Sequence, residues 1–161
     1  RHIDEKVVPY VAIIYNIGAV IGAIVFGQLS QRFGRRRSMV AALGLSLVVI
    51  PFWAFGTSLA GLAAAAFVMQ MGVQGAWGII PVHLNELAPD AVRGLMPGLA
   101  YQCGIILAAP TNTIEHLLRD RVGYSWALAG FETIVIVVLA VVLLAGTERH
   151  GRSFHSGDRA A

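Results

Sequence analysis

The 161-residue chain is 57% hydrophobic and only 13% charged, against roughly 25% charged in a typical soluble domain. Such a chain has too little polar surface to cover itself in water, which excludes a water-soluble globule and points to an all-α integral membrane protein. Its net charge of +3 is small, and its basic residues are not interleaved with exposed aromatics, which argues against a nucleic-acid partner. The single Cys103 lies inside an apolar run, so no disulfide or metal framework is expected, and no cofactor.

The charges are also clustered. None occurs from 7 to 31, from 38 to 85, from 94 to 114, or from 133 to 147. Runs of about 20 apolar residues suit a helix that crosses a hydrocarbon core roughly 30 Å thick. The chain therefore divides into an external loop remnant (1–6), a five-span bundle (7–146) and a polar, basic cytoplasmic tail (147–161). It starts at Arg1 rather than Met, which is expected of a piece whose upstream part is missing.

The first span runs over about 7–29. Gly18 and Gly22 share one face at the small-xxx-small spacing that lets membrane helices approach closely. Asn16 in this span has two readings: it bonds a neighbouring helix or it lines a cavity. A basic turn follows, Gly27-Gln-Leu-Ser-Gln-Arg-Phe-Gly-Arg-Arg-Arg37, whose four arginines within six residues must sit at a membrane surface.

The second span, about 38–55, contains Pro51 and ends at a tight Gly56-Thr57-Ser58 turn. In the third span, about 59–82, Gln70, Gln74, Trp77, Pro81 and Asn85 fall on one narrow helical stripe at 100° per residue. Amides at membrane depth are costly against lipid, so this stripe is expected to face a protein interior or an aqueous cavity. His83 points to the opposite side and reads as an interfacial residue rather than a ligand.

Residues 83–94 form the next polar loop, with Glu86 and Arg93. The fourth span, about 95–114, is interrupted by Pro97, Gln102, Gly104, Pro110 and Asn112, a composition tolerated only where neighbouring helices or water satisfy the backbone. A charged loop is expected over 115–123. The fifth span, about 124–146, holds Glu132, which is either a proton carrier or a group that reaches the interface. With five spans, one side carries eight of the twelve Lys and Arg residues. The positive-inside rule then places the basic turn and the C-terminus in the cytoplasm of a cell-membrane protein and the N-terminus outside.

The basic turn resembles the loop signature of the major facilitator superfamily, G-x-L-x-D-R-x-G-R-R, through Gly27, Leu29, Arg32, Gly34, Arg35 and Arg36, with Gln31 in place of the aspartate. The missing acid, the loop from Glu86 to Arg93 and the polar tail suit the second, degraded copy of that signature, between helices eight and nine. The resemblance implies that the five spans are helices eight to twelve, most of the C-terminal bundle of a twelve-helix carrier whose N-terminal half is missing. Independently, the arginines could bond the C-terminal carbonyls of neighbouring helices and complement their dipoles. That makes Gly27, Arg32, Gly34, Arg35, Arg36, Glu86 and Arg93 a candidate conformational latch; the plainer reading is a positive-inside anchor.

The run Val73-Gln-Gly-Ala-Trp-Gly-Ile-Ile-Pro-Val-His-Leu-Asn85, followed by Tyr101-Gln102, is similar to the sialate and lactate proton symporter group. In that group a Y-Q-L-G-N motif contributes to carboxylate recognition. Tyr101, Gln102 and Gly104 match it here, whereas Cys103 and Ile105 replace the leucine and asparagine. The resemblance implies proton-coupled uptake of a small monocarboxylate such as lactate or pyruvate, with the lipid bilayer, the organic anion and protons as partners. Gln70, Gln74, Trp77 and Gln102 would be this segment's substrate-binding residues; alternatively these amides only join helices. A sialic acid, sugar or drug carrier of the same superfamily, or an inactive structural fragment, remain the competing readings. No nucleophile turn or metal-ligand spacing suggests an enzyme.

Overall fold

The computed structural model describes residues 8–149 and 151. The expected external loop remnant (1–6), and the tail beyond 149 apart from Gly151, lie outside the described residues. Among the described residues six α-helices follow one another: α1 (Val8–Phe33), α2 (Arg35–Phe55), α3 (Leu59–Leu87), α4 (Met96–Ala108), α5 (Thr111–Val122) and α6 (Tyr124–Ala145), with a 3-10 turn at Asp90–Val92. Four of them, α1, α2, α3 and α6, are long and apolar enough to cross a membrane.

The helices outrun the apolar segments that announce them. α1 continues to Phe33 and α2 begins at Arg35, so the expected basic turn is reduced to one residue, Gly34. α3 likewise extends to Leu87, through most of the polar stretch expected as a loop. Hydropathy reports where hydrocarbon ends, whereas the backbone ladder continues until a residue stops it. At about 1.5 Å per residue, the 29 residues of α3 span about 44 Å, well beyond the hydrocarbon core.

The region of the expected fourth span is built from two short helices. Pro110 has no N–H to offer Ile106, and the Ala109 N–H closes instead on the Ile106 carbonyl at 3.3 Å, ending α4. The expected charged loop at 115–123 is instead the helix α5. Ile114, Leu117, Leu118 and Val122 recur at helical spacing there among charged residues, and Gly123 (φ 85°) stops it in a conformation other residues avoid.

α3 is the centre of the bundle, packed along α1 on one side and α2 on the other, while α6 lies on the far side of α2. The shared core includes Phe26 from α1, Met39, Leu43 and Ile50 from α2, Met69 and Ile79 from α3, and Ala129 and Ile136 from α6. Lipid gives helices no hydrophobic reason to associate, so contact depends on close backbone approach. Gly18 and Gly22 supply it: a methyl group at either would overlap the α3 backbone, at Phe67 and Met71 respectively. Ser46 of α2 reinforces the other seam, its hydroxyl donating to the Met69 carbonyl of α3 at 3.4 Å and to Ala42 of its own helix at 3.3 Å.

The outward faces are apolar. Tyr10, Val20 and Ile24 on α1, Val48 and Phe52 on α2, and Ile134, Val138, Val141 and Leu144 on α6 are exposed, as helices in a bilayer require. A Gly22→Ala exchange in the full-length protein should lower stability by about 1–3 kcal/mol through overpacking. At the exposed Gly44, where a methyl meets nothing within 4 Å, the same exchange should be neutral or slightly stabilising. Thermal unfolding in detergent distinguishes the two.

Candidate functional site

Two groups of polar residues stand out, one at the membrane-surface end of the bundle and one along α3. The first is organised by the joint between α1 and α2. Gly34 turns the chain with φ 93°, in the left-handed region that only glycine enters without strain. A Cβ there would also press on the Glu148 carboxylate, 3.1 Å from Oε2. With the turn this tight, Arg35 enters the bundle at the first position of α2 and is buried.

Arg35 is fully engaged. Its Nε and Nη2 donate to Oε1 of Glu86 at 3.2 and 3.0 Å, and Nε also reaches Oε2 at 3.2 Å. Nη1 donates to the Ser30 hydroxyl at 2.8 Å and Nη2 to Gln31 Oε1 at 3.2 Å. The pair is almost closed to solvent, with 6% and 4% of the two side chains exposed. One guanidinium therefore ties the end of α1, the start of α2 and the end of α3, using the planar fork that lysine lacks.

The neighbouring contacts are reciprocal caps. The first amides of α2 have no partner in their own helix. The Arg35 and Arg36 N–H groups donate to the two oxygens of Glu148 at 3.3 and 3.0 Å, placing a negative charge at the helix N-terminus. In return, the Arg36 guanidinium donates to the Leu143 and Leu144 carbonyls, both at 2.5 Å, in the last turn of α6. Each helix end is thus completed by a side chain from the other segment. Arg93 makes a separate contact, pairing with Asp90 and donating to the Asn85 carbonyl at 3.2 Å near the end of α3.

Of the residues expected in the latch, the fold brings Gly34, Arg35, Arg36 and Glu86 together. Arg32 is exposed and its side chain makes no hydrogen bond among the described residues; it lines an open cleft with Arg37 and Glu148. Gly27 has open space where a Cβ would stand, so no close approach requires it. Sequence reasoning missed Glu148, Ser30 and Gln31 as partners. Gln31 occupies the position of the signature's aspartate and still accepts from Arg35, a signal that was available; the pairing with Glu148, 113 residues away from Arg35, was not.

His83, expected as an interfacial residue rather than a ligand, lies beside the knot and is buried, 8% exposed. A ring nitrogen and carboxylate oxygens of Glu86 and Glu148 lie within 4.8 Å of one another. His83 precedes Glu86 by three residues on a helix that continues past the polar boundary, and this puts it on the Glu86 face.

The second group follows the α3 stripe outward. Gln70 is buried, Gln74 half-buried and Trp77 exposed. Trp77 meets Tyr101 of α4 edge to face, with ring centroids 5.7 Å apart, so the run in α3 and the Tyr101-Gln102 pair are joined through their aromatics. Gln102 itself is exposed. No hydrogen bond links Gln70, Gln74 and Gln102 to one another among the described residues. Asn85 and Asn16 donate back to carbonyls of their own helices, Pro81 at 3.0 Å and Ala12 at 2.7 Å.

Membrane-length helices, tied at one end by an arginine–carboxylate knot and carrying a polar stripe along the central helix, define a polytopic membrane protein. The chain belongs to the sugar (and other) transporter family of the major facilitator superfamily, whose profile matches residues 4–148. Among curated relatives it is 36% identical over 120 residues to a carboxylic acid transporter protein homolog of Saccharomyces cerevisiae, covering 74% of this chain and 19% of that protein. It is 29% identical over 130 residues to the glucose transporter GlcP of Staphylococcus epidermidis, covering 81% of this chain and 28% of that protein. A D-xylose transporter of Levilactobacillus brevis is 32% identical over 126 residues, covering 76% and 27%. The chain spans 19–28% of the length of these relatives. No solved structure matches it.

Breaking a buried ion pair from one side strands the other charge, at a cost of about 3–5 kcal/mol. Arg35→Ala in the full-length protein should therefore lower its unfolding midpoint sharply, whereas Arg32→Ala should change stability by less than about 0.5 kcal/mol. Parallel thermal melts in detergent check both.

Proposed function

We propose that this chain is helices eight to twelve of a twelve-helix secondary carrier that takes up a small monocarboxylate such as lactate or pyruvate together with protons. The observation that carries the reading is the joined pair of segments, Val73 to Asn85 on α3 and Tyr101-Gln102 on α4, which meet through Trp77 and Tyr101. The similarity to the carboxylic acid transporter homolog supports it. In such carriers the substrate lies near the midplane between two bundles that rock around it. Gln70, Gln74 and Gln102 would donate hydrogen bonds to carboxylate or hydroxyl oxygens, and Trp77 would form a wall. Uncharged donors suit a site that must release its ligand as well as hold it.

In this reading the knot at Gly34, Arg35, Arg36, Glu86 and Glu148 lies on the cytoplasmic side, with the C-terminus inside and the N-terminus outside. It is made in one conformation and broken in another, and Arg93 supports the same surface. A buried pair is suited to that role, because separating it admits water to both charges and so offsets part of the lost attraction.

A sugar carrier is the second reading, favoured by the family's own description and by the similarity to glucose and xylose transporters. Neutral amides bind sugar hydroxyls as readily as carboxylates. Uptake of labelled lactate and of labelled glucose by vesicles holding the full-length carrier separates the two. Lactate uptake that is driven by an inward proton gradient and is not competed by glucose is the expected result; glucose uptake that ignores lactate would overturn the monocarboxylate assignment. Gln102→Ala should reduce uptake about tenfold, the loss of roughly one substrate hydrogen bond. Gln28→Ala, at an exposed position on α1, should leave it unchanged, and equal effects would remove Gln102 from the site.

A further inference from the structure

We infer that His83, Glu86 and Glu148 form a regulatory site for a first-row divalent cation, with Zn²⁺ the best fit, set inside the arginine knot. A ring nitrogen of His83 and one carboxylate oxygen from each glutamate lie within 4.8 Å of one another. Proximity alone would not make a site. The imidazole, however, is more than nine-tenths buried, and its Nδ1 is closed to solvent with no hydrogen-bond partner among the described residues. A buried imidazole with one unsatisfied ring nitrogen, set beside two carboxylates, is a costly arrangement that a bound cation can resolve.

The surroundings suit a metal centre. Ligating carboxylates are usually oriented by further hydrogen bonds, and both are here. Arg35 holds Glu86 through Nε and Nη2, and the Arg35 and Arg36 amides hold Glu148. Each carboxylate offers about four lone-pair positions, so these bonds leave room for a metal. The two guanidiniums oppose a cation, which disfavours hard, weakly held ions. One imidazole and two carboxylates select Zn²⁺ and its neighbours over Mg²⁺ and Ca²⁺, which take oxygen ligands. Donors at about 2.0–2.2 Å from a tetrahedral ion stand roughly 3.4 Å apart, a gap that the exposed Glu148 side chain can close by turning inward.

An ion held there would clamp the end of α3 directly to the segment after α6, reinforcing the tie that Arg35 makes between them through its guanidinium and its amide. Occupancy would hold the knot shut and slow transport, whichever solute is carried. The site's residues are the same whether the solute is a monocarboxylate or a sugar.

The test is Zn²⁺ titration of the purified full-length carrier in detergent by calorimetry, with Co²⁺ as an optical probe of coordination. Wild-type protein is expected to bind one Zn²⁺ at this site and to give the visible absorption of nitrogen- and oxygen-ligated Co²⁺. His83→Asn and Glu148→Gln should each weaken binding tenfold or more, in protein that elutes as wild type by size exclusion. His116→Ala should bind as wild type, and millimolar Mg²⁺ should not compete. Unchanged Zn²⁺ affinity in both His83→Asn and Glu148→Gln, or no Zn²⁺ binding by the wild type, would overturn the proposal.

Discussion

Burial of a single guanidinium constrains the whole membrane-surface end of this bundle. Arg35 cannot be left inside without a counter-charge, and it meets Glu86 with both side chains almost completely shielded. That demand fixes the joint: Gly34 must take its left-handed conformation for α2 to start where Arg35 points inward, and α3 must remain helical as far as Glu86. The reciprocal caps follow from the same placement. Once α2 begins at Arg35, its first amides face Glu148 and the next guanidinium reaches the last carbonyls of α6. Four helices are thereby tied together, and the start of α2 and the end of α6 receive from side chains the partners that ordinary helix ends find in water.

Away from that end the forces are different. α3 is held between α1 and α2 by backbone proximity at Gly18 and Gly22 and by the Ser46 hydroxyl, not by a hydrophobic driving force that lipid would not supply. This leaves the polar stripe of α3 free to turn progressively outward, from buried Gln70 to exposed Trp77, where it meets Tyr101. Tight packing at one seam and an open aromatic edge at another give the bundle one closed face and one open one.

Much of this was legible in the amino-acid order. Charge-free runs coincide with the four membrane-length helices, although the run from 94 to 114 gave none, and the Gly18–Gly22 spacing marked the face that meets α3. The signature arginines identified the surface end. Helix ends were misjudged wherever hydropathy and the hydrogen-bond ladder diverge, as at Phe33 and Leu87, because polar residues can extend a helix past the hydrocarbon. α5 was hidden because its charged residues masked an apolar spacing of three and four. Within the candidate site, Arg35 and Glu86 were visible as residue types, but nothing local declared that they pair. Glu148 was less accessible still, since its role depends on α6 ending beside the start of α2. The buried position of His83 likewise became evident only once α3 was seen to continue past it.

The joint between α1 and α2 depends on Glu148 accepting from the otherwise orphaned first amides of α2. Hydrogen exchange of the full-length carrier, read on peptides covering residues 34–38, tests this directly by comparing wild type with Glu148→Ala. The account predicts slow exchange at the Arg35 and Arg36 amides in wild type and exchange at least tenfold faster in the variant, with helix-interior amides from Ala41 to Val49 unchanged. Equal exchange at Arg35 and Arg36 in the two proteins would contradict it.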